Sequence, residues 1–123
     1  MGMEQGMIDW DRIENLLLEV GHDDFREVMG LFTEEVAESI TRLAEATDAN
    51  IDPAQLEREL HFLKGCALNL GFTRLAALCG RGESDAASGR AAEVDIREVI
   101  DCFRASRAVL ATKATSLGID GLL

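Results

Sequence analysis

The stretch DPAQLERELHFLKGCALNLG, residues 52–71, contains both the boundaries and the periodicity of one amphipathic helix. Asp52 is a suitable N-cap, Pro53 is a favoured first helical residue, and Gln55 is the third-position partner of a capping box. Gly71 is a typical helix terminator. Between these signals apolar residues recur at spacings of four and three, which predicts one buried face. That face consists of Leu56, Leu60, Leu63, Ala67 and Leu70.

Four further helices are predicted by the same periodicity. They cover residues 8–20, 23–46, 73–88 and 95–114. Gly80 and Gly82 make the second half of the helix over 73–88 the least regular part of the pattern. Short connections between such helices favour an all-α fold, an antiparallel four-helix bundle with a short additional N-terminal helix. We expect a single domain over residues 8–115, after a flexible lead-in over 1–7 and before a tail over 116–123.

Composition excludes several classes of partner and site. The 123 residues have a net charge of −11, and such a surface repels a phosphate backbone, so we expect no nucleic-acid partner. No apolar run approaches the roughly 20 residues that span a bilayer, and no secretory signal pattern is present, so we expect no membrane partner and a cytoplasmic location. Cys66, Cys79 and Cys102 lack a C-x-x-C spacing, which predicts reduced core residues.

His61 is predicted to face solvent, because a rotation of about 100° per residue places it about 150° from the centre of the apolar face. Lys64 and Gly65, three and four residues later, then lie beside it. A mid-helix glycine costs about 1 kcal/mol relative to alanine, and packing does not readily explain one on an outer surface.

Each of these three features also has an ordinary explanation as solvated surface or helix packing. Together they favour a reactive site. A solvent-facing imidazole is a nucleophile at neutral pH, and an adjacent ammonium offsets the charge of a phosphoryl group. A bare backbone position beside the ring lets another protein approach it closely. The pattern therefore points to phosphoryl transfer, which depends mostly on positioning and charge compensation.

The segment HFLKGCALNLGFTRLAALCGRGE, residues 61–83, resembles the signature of histidine-containing phosphotransfer (HPt) domains, the shuttle modules of multistep two-component phosphorelays. The resemblance implies that His61 accepts a phosphoryl group from a receiver-domain aspartyl phosphate and passes it to another receiver aspartate. It also implies that Lys64 stabilises the phosphohistidine, that Gly65 gives the receiver access, and that Glu83 orients the ring. The matching positions are His61, Leu63, Lys64, Gly65, Ala67, Leu70, Gly71, Leu75, Leu78, Cys79 and Glu83.

The partners implied by the resemblance are response-regulator receiver domains and hybrid histidine kinases. The Mg²⁺ of the reaction is expected in the receiver, no cofactor is expected in this chain, and most members of the family are monomers. We expect Phe62 and Leu68 to contribute apolar contacts to a docking surface around His61, with Arg74 or Arg81 supplying positive charge.

Three positions depart from the family pattern. Cys66 stands where serine is common, Leu60 replaces a frequent alanine, and Gly82 replaces a usual aliphatic residue. The first is an exchange of one small residue for another. The loss of an aliphatic side chain next to Glu83 predicts weaker anchoring, and hence a less rigid helix, at that point.

Three other functions are alternatives to this interpretation. In histidine kinase cores an acidic residue typically follows the histidine, whereas Phe62 follows it here, and no Gly-rich phosphate loop is present. A metal site formed by His61 with His22 or the cysteines lacks a recognisable ligand spacing. A helical adaptor in which His61 has no chemical role remains open. The sequence favours a phosphoryl carrier over an autonomous enzyme.

Overall fold

The computed structural model describes residues 6–46 and 52–117, and residues 1–5, 47–51 and 118–123 lie outside this description. The described residues contain no strand, and their helices are α1 (Trp10–Ala46), α2 (Pro53–Leu70), α3 (Thr73–Ala87) and α4 (Ile96–Leu117). A short 3-10 helix, Ala91–Glu93, lies between α3 and α4. The most extensive packing is between α2 and α3, α1 packs mainly on α2, and α4 closes the bundle against α3 and α1. The all-α four-helix prediction is confirmed.

Helix α1 contains the two helices that the sequence predicts before residue 46. They join at Gly21, whose φ of 81° and ψ of 167° interrupt the helical conformation. Side chains rarely adopt a φ of this sign, so glycine suits the break. Ile13 is buried before Gly21, and Phe25 and Met29 are buried after it, so both segments contribute to one core.

The predicted boundaries of α2 are confirmed by its caps. The Asp52 carboxylate accepts a hydrogen bond of 3.3 Å from the backbone N–H of Gln55. At the other end Gly71 has a φ of 75° and its N–H donates to Leu68 O at 3.2 Å. The five residues of the predicted apolar face are all buried, together with Cys66.

The packed region begins earlier than the predicted domain, and the last helix ends later than predicted. Met7 and Ile8 both belong to the core, although Met7 falls in the predicted flexible lead-in. This segment is attached to the start of α3, because Thr73 Oγ1 donates a hydrogen bond of 2.8 Å to Gly6 O. At the C-terminal end α4 continues to Leu117, beyond the predicted end of its helix at 114.

The three cysteines are buried and unpaired, as the sequence predicts. Burial raises the pKa of each thiol, and that of Cys79 reaches about 12. Within the two described ranges no group of three or more His, Cys, Asp or Glu side chains is arranged to hold a metal ion. None of the helices in the described part of the chain is long and apolar enough to cross a membrane.

Candidate functional site

His61 projects from the outer surface of α2. Its side chain is 69% exposed, whereas its neighbours Leu60 and Leu63 are completely buried. The exposure predicted from the helical rotation is therefore confirmed. Since α2 packs against both α1 and α3, the ring stands on a helix that is held in place on two sides.

The carboxylate of Glu83 reaches the His61 ring from α3. Glu83 Oε2 lies 2.7 Å from His61 Nδ1, within hydrogen-bond distance. An ionised carboxylate only accepts hydrogen bonds, so Nδ1 must carry the proton. In a neutral ring this leaves the lone pair on Nε2, which makes Nε2 the nucleophilic nitrogen.

Lys64 meets the same carboxylate. Its Nζ lies 2.9 Å from Glu83 Oε1 as an ion pair. The contact with Lys64, followed by that with His61, holds the pKa of Glu83 below its usual range and outweighs the opposing effect of partial burial. Glu83 is therefore ionised at neutral pH and connects the imidazole to the ammonium.

Glycines on α3 allow this close contact between the two helices. A Cβ atom at Gly82, which is buried, would lie 2.9 Å from Leu60 Cδ1 and 3.3 Å from Val94 Cγ1. A Cβ atom at Gly80 would lie 3.4 Å from Lys64 Cδ. Helix α3 runs unbroken through Gly82, and the neighbouring side chains of Leu60 and Val94 occupy the space beside it.

The backbone beside the ring is open at Gly65. A Cβ atom there would meet no atom within 4 Å apart from its own helix and neighbours, so packing does not require glycine at this position. Phe62 and Leu68 on the same helix are 40% and 56% exposed. The structure thus places His61, Gly65 and two apolar side chains on one accessible surface of α2.

Arg74 and Arg81 lie elsewhere. A rotation of about 100° per residue places both of them about 160° to 180° from Glu83 around α3. Arg81 Nη2 contacts Glu98 Oε1 of α4 at 3.3 Å, and Arg74 lies near Gly6. The structure therefore does not bring these two arginines to the His61 surface, and their predicted place in the docking surface is corrected.

An apolar groove on α1 was not predicted. Val28, Leu31, Phe32 and Glu35 line an open groove of about 280 Å³, and Leu31 is 56% exposed. Val28 and Phe32 are both only partly buried. They lie beside the buried face of α1, and Leu31 continues the apolar stripe away from it. An apolar stripe wider than the buried face indicates that a helix also has an exposed apolar edge.

The groove lies beside α2. Ser39 Oγ donates a hydrogen bond to the Glu59 carboxylate, and Arg42 forms an ion pair of 2.7 Å with it. Because α1 and α2 run antiparallel, earlier residues of α1 lie beside later residues of α2. The groove is therefore level with the turn of α2 that follows Gly65, next to the exposed surface around His61.

Comparison with protein families gives a match to the Hpt domain over residues 27–109 of the 123. The matched range contains the His61, Lys64, Gly65 and Glu83 cluster together with α2, α3 and most of α1 and α4. Comparison with curated proteins and with solved structures finds no significant match. Hpt domains are helical bundles that take part in phosphorelay signalling, and both the fold and the matched range agree. The chain belongs to the Hpt domain family.

Proposed function

We propose that this protein is a phosphoryl carrier in which His61 accepts a phosphoryl group from a receiver-domain aspartyl phosphate and passes it to another receiver aspartate. The observation that supports this most directly is the Glu83 carboxylate, which contacts both His61 Nδ1 and the Lys64 ammonium. Such an arrangement selects one nitrogen of the ring and places a cation close to it. Family membership supports a phosphorelay role in general.

The transfer step follows from the hydrogen bond at Nδ1. The Nε2 lone pair attacks phosphorus, and the N–P bond forms as the O–P bond to the aspartate breaks, so that the aspartate leaves as a carboxylate with the bonding electrons. The proton stays on Nδ1, and the ring becomes a cation. Glu83, 2.7 Å away, stabilises that positive charge as it forms. Reversal of the same step at a second receiver returns the ring to its neutral form.

Lys64 supplies the compensating charge. A phosphoryl group on Nε2 brings nearly two negative charges at neutral pH. The ammonium pairs with Glu83 Oε1 at the surface of the bundle, and the lysine stem lies over the bare backbone at Gly80. We propose that the flexible side chain shares its charge between Glu83 and the phosphoryl group.

The receiver docks, in this proposal, on the surface formed by Phe62, Gly65, Leu68 and the groove of α1. Exposed apolar side chains next to bare backbone allow a partner to bring its aspartate to the ring. The Mg²⁺ that assists transfer is supplied by the receiver, and the carrier acts as a monomer without a cofactor of its own. Hybrid kinases and response regulators, which both carry receiver domains, are the proposed partners.

The test is incubation with phosphorylated receiver domains, followed by assay for an acid-labile, base-stable label. We expect a label on the wild-type protein and on His22→Gln, which changes the chain's other histidine, and none on His61→Gln. Equal labelling of His61→Gln would contradict the proposal. Receiver binding that survives in His61→Gln, with no label on the wild-type protein from any receiver, would establish the adaptor alternative instead.

A further inference from the structure

We infer that Leu60 and Gly82 fit together where α2 meets α3, with the leucine side chain in the space that the glycine leaves. This fit positions Glu83 against His61 and Lys64. The two residues touch none of the reacting atoms and are positioning residues. Their effect on phosphoryl transfer rests on the proposed function, whereas their effect on the His61 ring does not.

Leu60 and Gly82 are each adjacent in sequence to a residue of the site. Leu60 immediately precedes His61 on α2, and Gly82 immediately precedes Glu83 on α3. Leu60 is completely buried, and Gly82 is buried opposite it. Since consecutive helical residues differ by a fixed rotation of about 100° and a rise of about 1.5 Å, the contact at one pair determines the separation at the next.

The contact leaves no room for a side chain at position 82. A Cβ atom would lie 2.9 Å from Leu60 Cδ1 on one side and 3.3 Å from Val94 Cγ1 on the other. A larger group would have to push the buried Leu60 and Val94 side chains aside or move α3 away from α2, because well-packed interiors absorb extra methylene groups through off-rotamer side chains and backbone shifts. A displacement of about 1 Å is enough to lengthen the 2.7 Å contact between Glu83 and His61 beyond hydrogen-bond range.

Gly80 makes the same arrangement possible for the lysine. The stem of Lys64 crosses α3 at Gly80, where a Cβ atom would lie 3.4 Å from Lys64 Cδ. This path brings the ammonium to Oε1 of Glu83. The side chain of the intervening residue, Arg81, lies on the α4 side. The backbone of α3 is therefore bare on both sides of Glu83 around the helix, at the two points where Leu60 and the Lys64 stem approach it.

The contact also explains why a glycine stands inside α3 at this position. A glycine in a helix interior costs about 1 kcal/mol relative to alanine, so Gly82 needs a structural reason. The Leu60 side chain fills the space that Gly82 leaves, so a larger residue at 82 creates a clash and a smaller residue at 60 creates a cavity.

The test uses Gly82→Leu and the double variant Leu60→Ala/Gly82→Leu. The readout is the tautomer of the His61 ring, which ¹⁵N NMR of the imidazole nitrogens measures near neutral pH. The wild-type ring is expected to hold its proton on Nδ1. Gly82→Leu should give the mixture of Nδ1-protonated and Nε2-protonated rings that an unconstrained imidazole has. It should also slow transfer from a receiver by about a hundredfold. The double variant should restore both the tautomer and the rate. Gly30→Leu, at a helical glycine with open space around it, is the control and should leave the tautomer unchanged.

The outcomes separate this inference from the proposed function. A folded Gly82→Leu protein with the wild-type tautomer overturns the inference, as does a double variant that fails to fold or folds without the Nδ1 proton. If Gly82→Leu itself does not fold, the double variant decides. A tautomer that is lost in the single variant and restored in the double supports the inference, even if the wild-type protein never accepts a phosphoryl group.

Discussion

The Lys64 ammonium and the Glu83 carboxylate form an ion pair of 2.9 Å that joins α2 to α3 beside the His61 ring. The opposite oxygen of the same carboxylate contacts the ring at 2.7 Å. One acidic side chain thus sets both the tautomer of the histidine and the position of the neighbouring cation. Because the chain has a net charge of −11, this local charge arrangement cannot be inferred from its overall composition.

Replacement of Glu83 tests its role in orienting the ring. Glu83→Gln removes the negative charge that holds the proton on Nδ1 and stabilises the cationic ring. We expect the initial rate of transfer from a phosphorylated receiver to fall about tenfold to a hundredfold, as for other residues that orient a reactive histidine. Glu98→Gln serves as the control, because Glu98 lies in α4 and pairs with Arg81 away from the His61 ring. This substitution should leave the rate unchanged. A wild-type rate in Glu83→Gln would contradict this role.

Replacement of Lys64 tests charge compensation. Lys64→Ala should shorten the half-life of the phosphohistidine or slow its formation by about tenfold, because the phosphoryl charge loses its nearest cation. Decay of the label after removal of the receiver measures the half-life. Lys113, the only other lysine in the chain, is exposed near the end of α4, and Lys113→Ala should have no effect. Equal effects of the two substitutions would show that only general charge matters.

Replacement of Gly65 separates partner access from stability. Glutamine favours helices by up to about 1 kcal/mol over glycine, so Gly65→Gln should maintain or raise the free energy of unfolding. The new side chain projects beside His61, however, and should slow transfer by at least about tenfold. Gly30→Gln is the matched control, since Gly30 also has open space around it and lies about 150° around α1 from the groove. Undiminished transfer by Gly65→Gln would show that the receiver does not approach over this position.

Acid should weaken the contact between α1 and α2 at Glu59. Burial opposes ionisation of Glu59, but hydrogen bonds from Arg42 and Ser39 outweigh it and hold its pKa below the usual range. The unfolded chain therefore takes up this proton first, so the stabilisation is present above about pH 4.3 and is lost as pH falls through the lower pKa of the folded state.

Urea denaturation at pH 7 and at about pH 3.5 measures this loss. Over that interval the free energy of unfolding should fall on the order of 1 kcal/mol further for the wild-type protein than for Glu59→Gln. The difference is no larger because the half-exposed Arg42 is partly screened by solvent. The same loss in both proteins would assign the acid sensitivity to other carboxylates.

The cap at Gly71 provides a test of the fold itself. Gly71 has a φ of 75°, and a Cβ atom there would lie 3.0 Å from Asp9 O, so Gly71→Ala adds both backbone strain and a close contact. We expect it to lower the free energy of unfolding by about 2 kcal/mol. Gly89→Ala has the same kind of strain, with a φ of 80°, but open space around it, and should cost about 1 kcal/mol. Equal losses in urea denaturation would show that the contact with Asp9 is unimportant.

Local signals in the sequence were sufficient to predict the helices and the exposure of the histidine. The capping pair Asp52 and Gln55, the terminator Gly71 and the break at Gly21 act over a few residues, and the structure contains each of them. The rotation of a single helix was enough to place His61 on the outside. These predictions needed no knowledge of which helices are neighbours.

Contacts between helices required the tertiary structure. The resemblance to a family supplied a role for Glu83, but the distances that let one carboxylate reach His61 and Lys64 depend on how closely α3 approaches α2. Likewise, the role of Gly82 depends on its contact with Leu60, a residue of another helix.

What the sequence alone determined was therefore the set of helices, their apolar faces and the exposed nucleophile, because capping and periodicity act within one helix. The tertiary structure decided which surfaces meet: it placed Arg81 on the α4 side, left Val28 and Phe32 at an open groove, and brought Met7 into the core. The physical reason is that the separation and rotation of two packed helices depend on the combined shapes of side chains from distant parts of the chain.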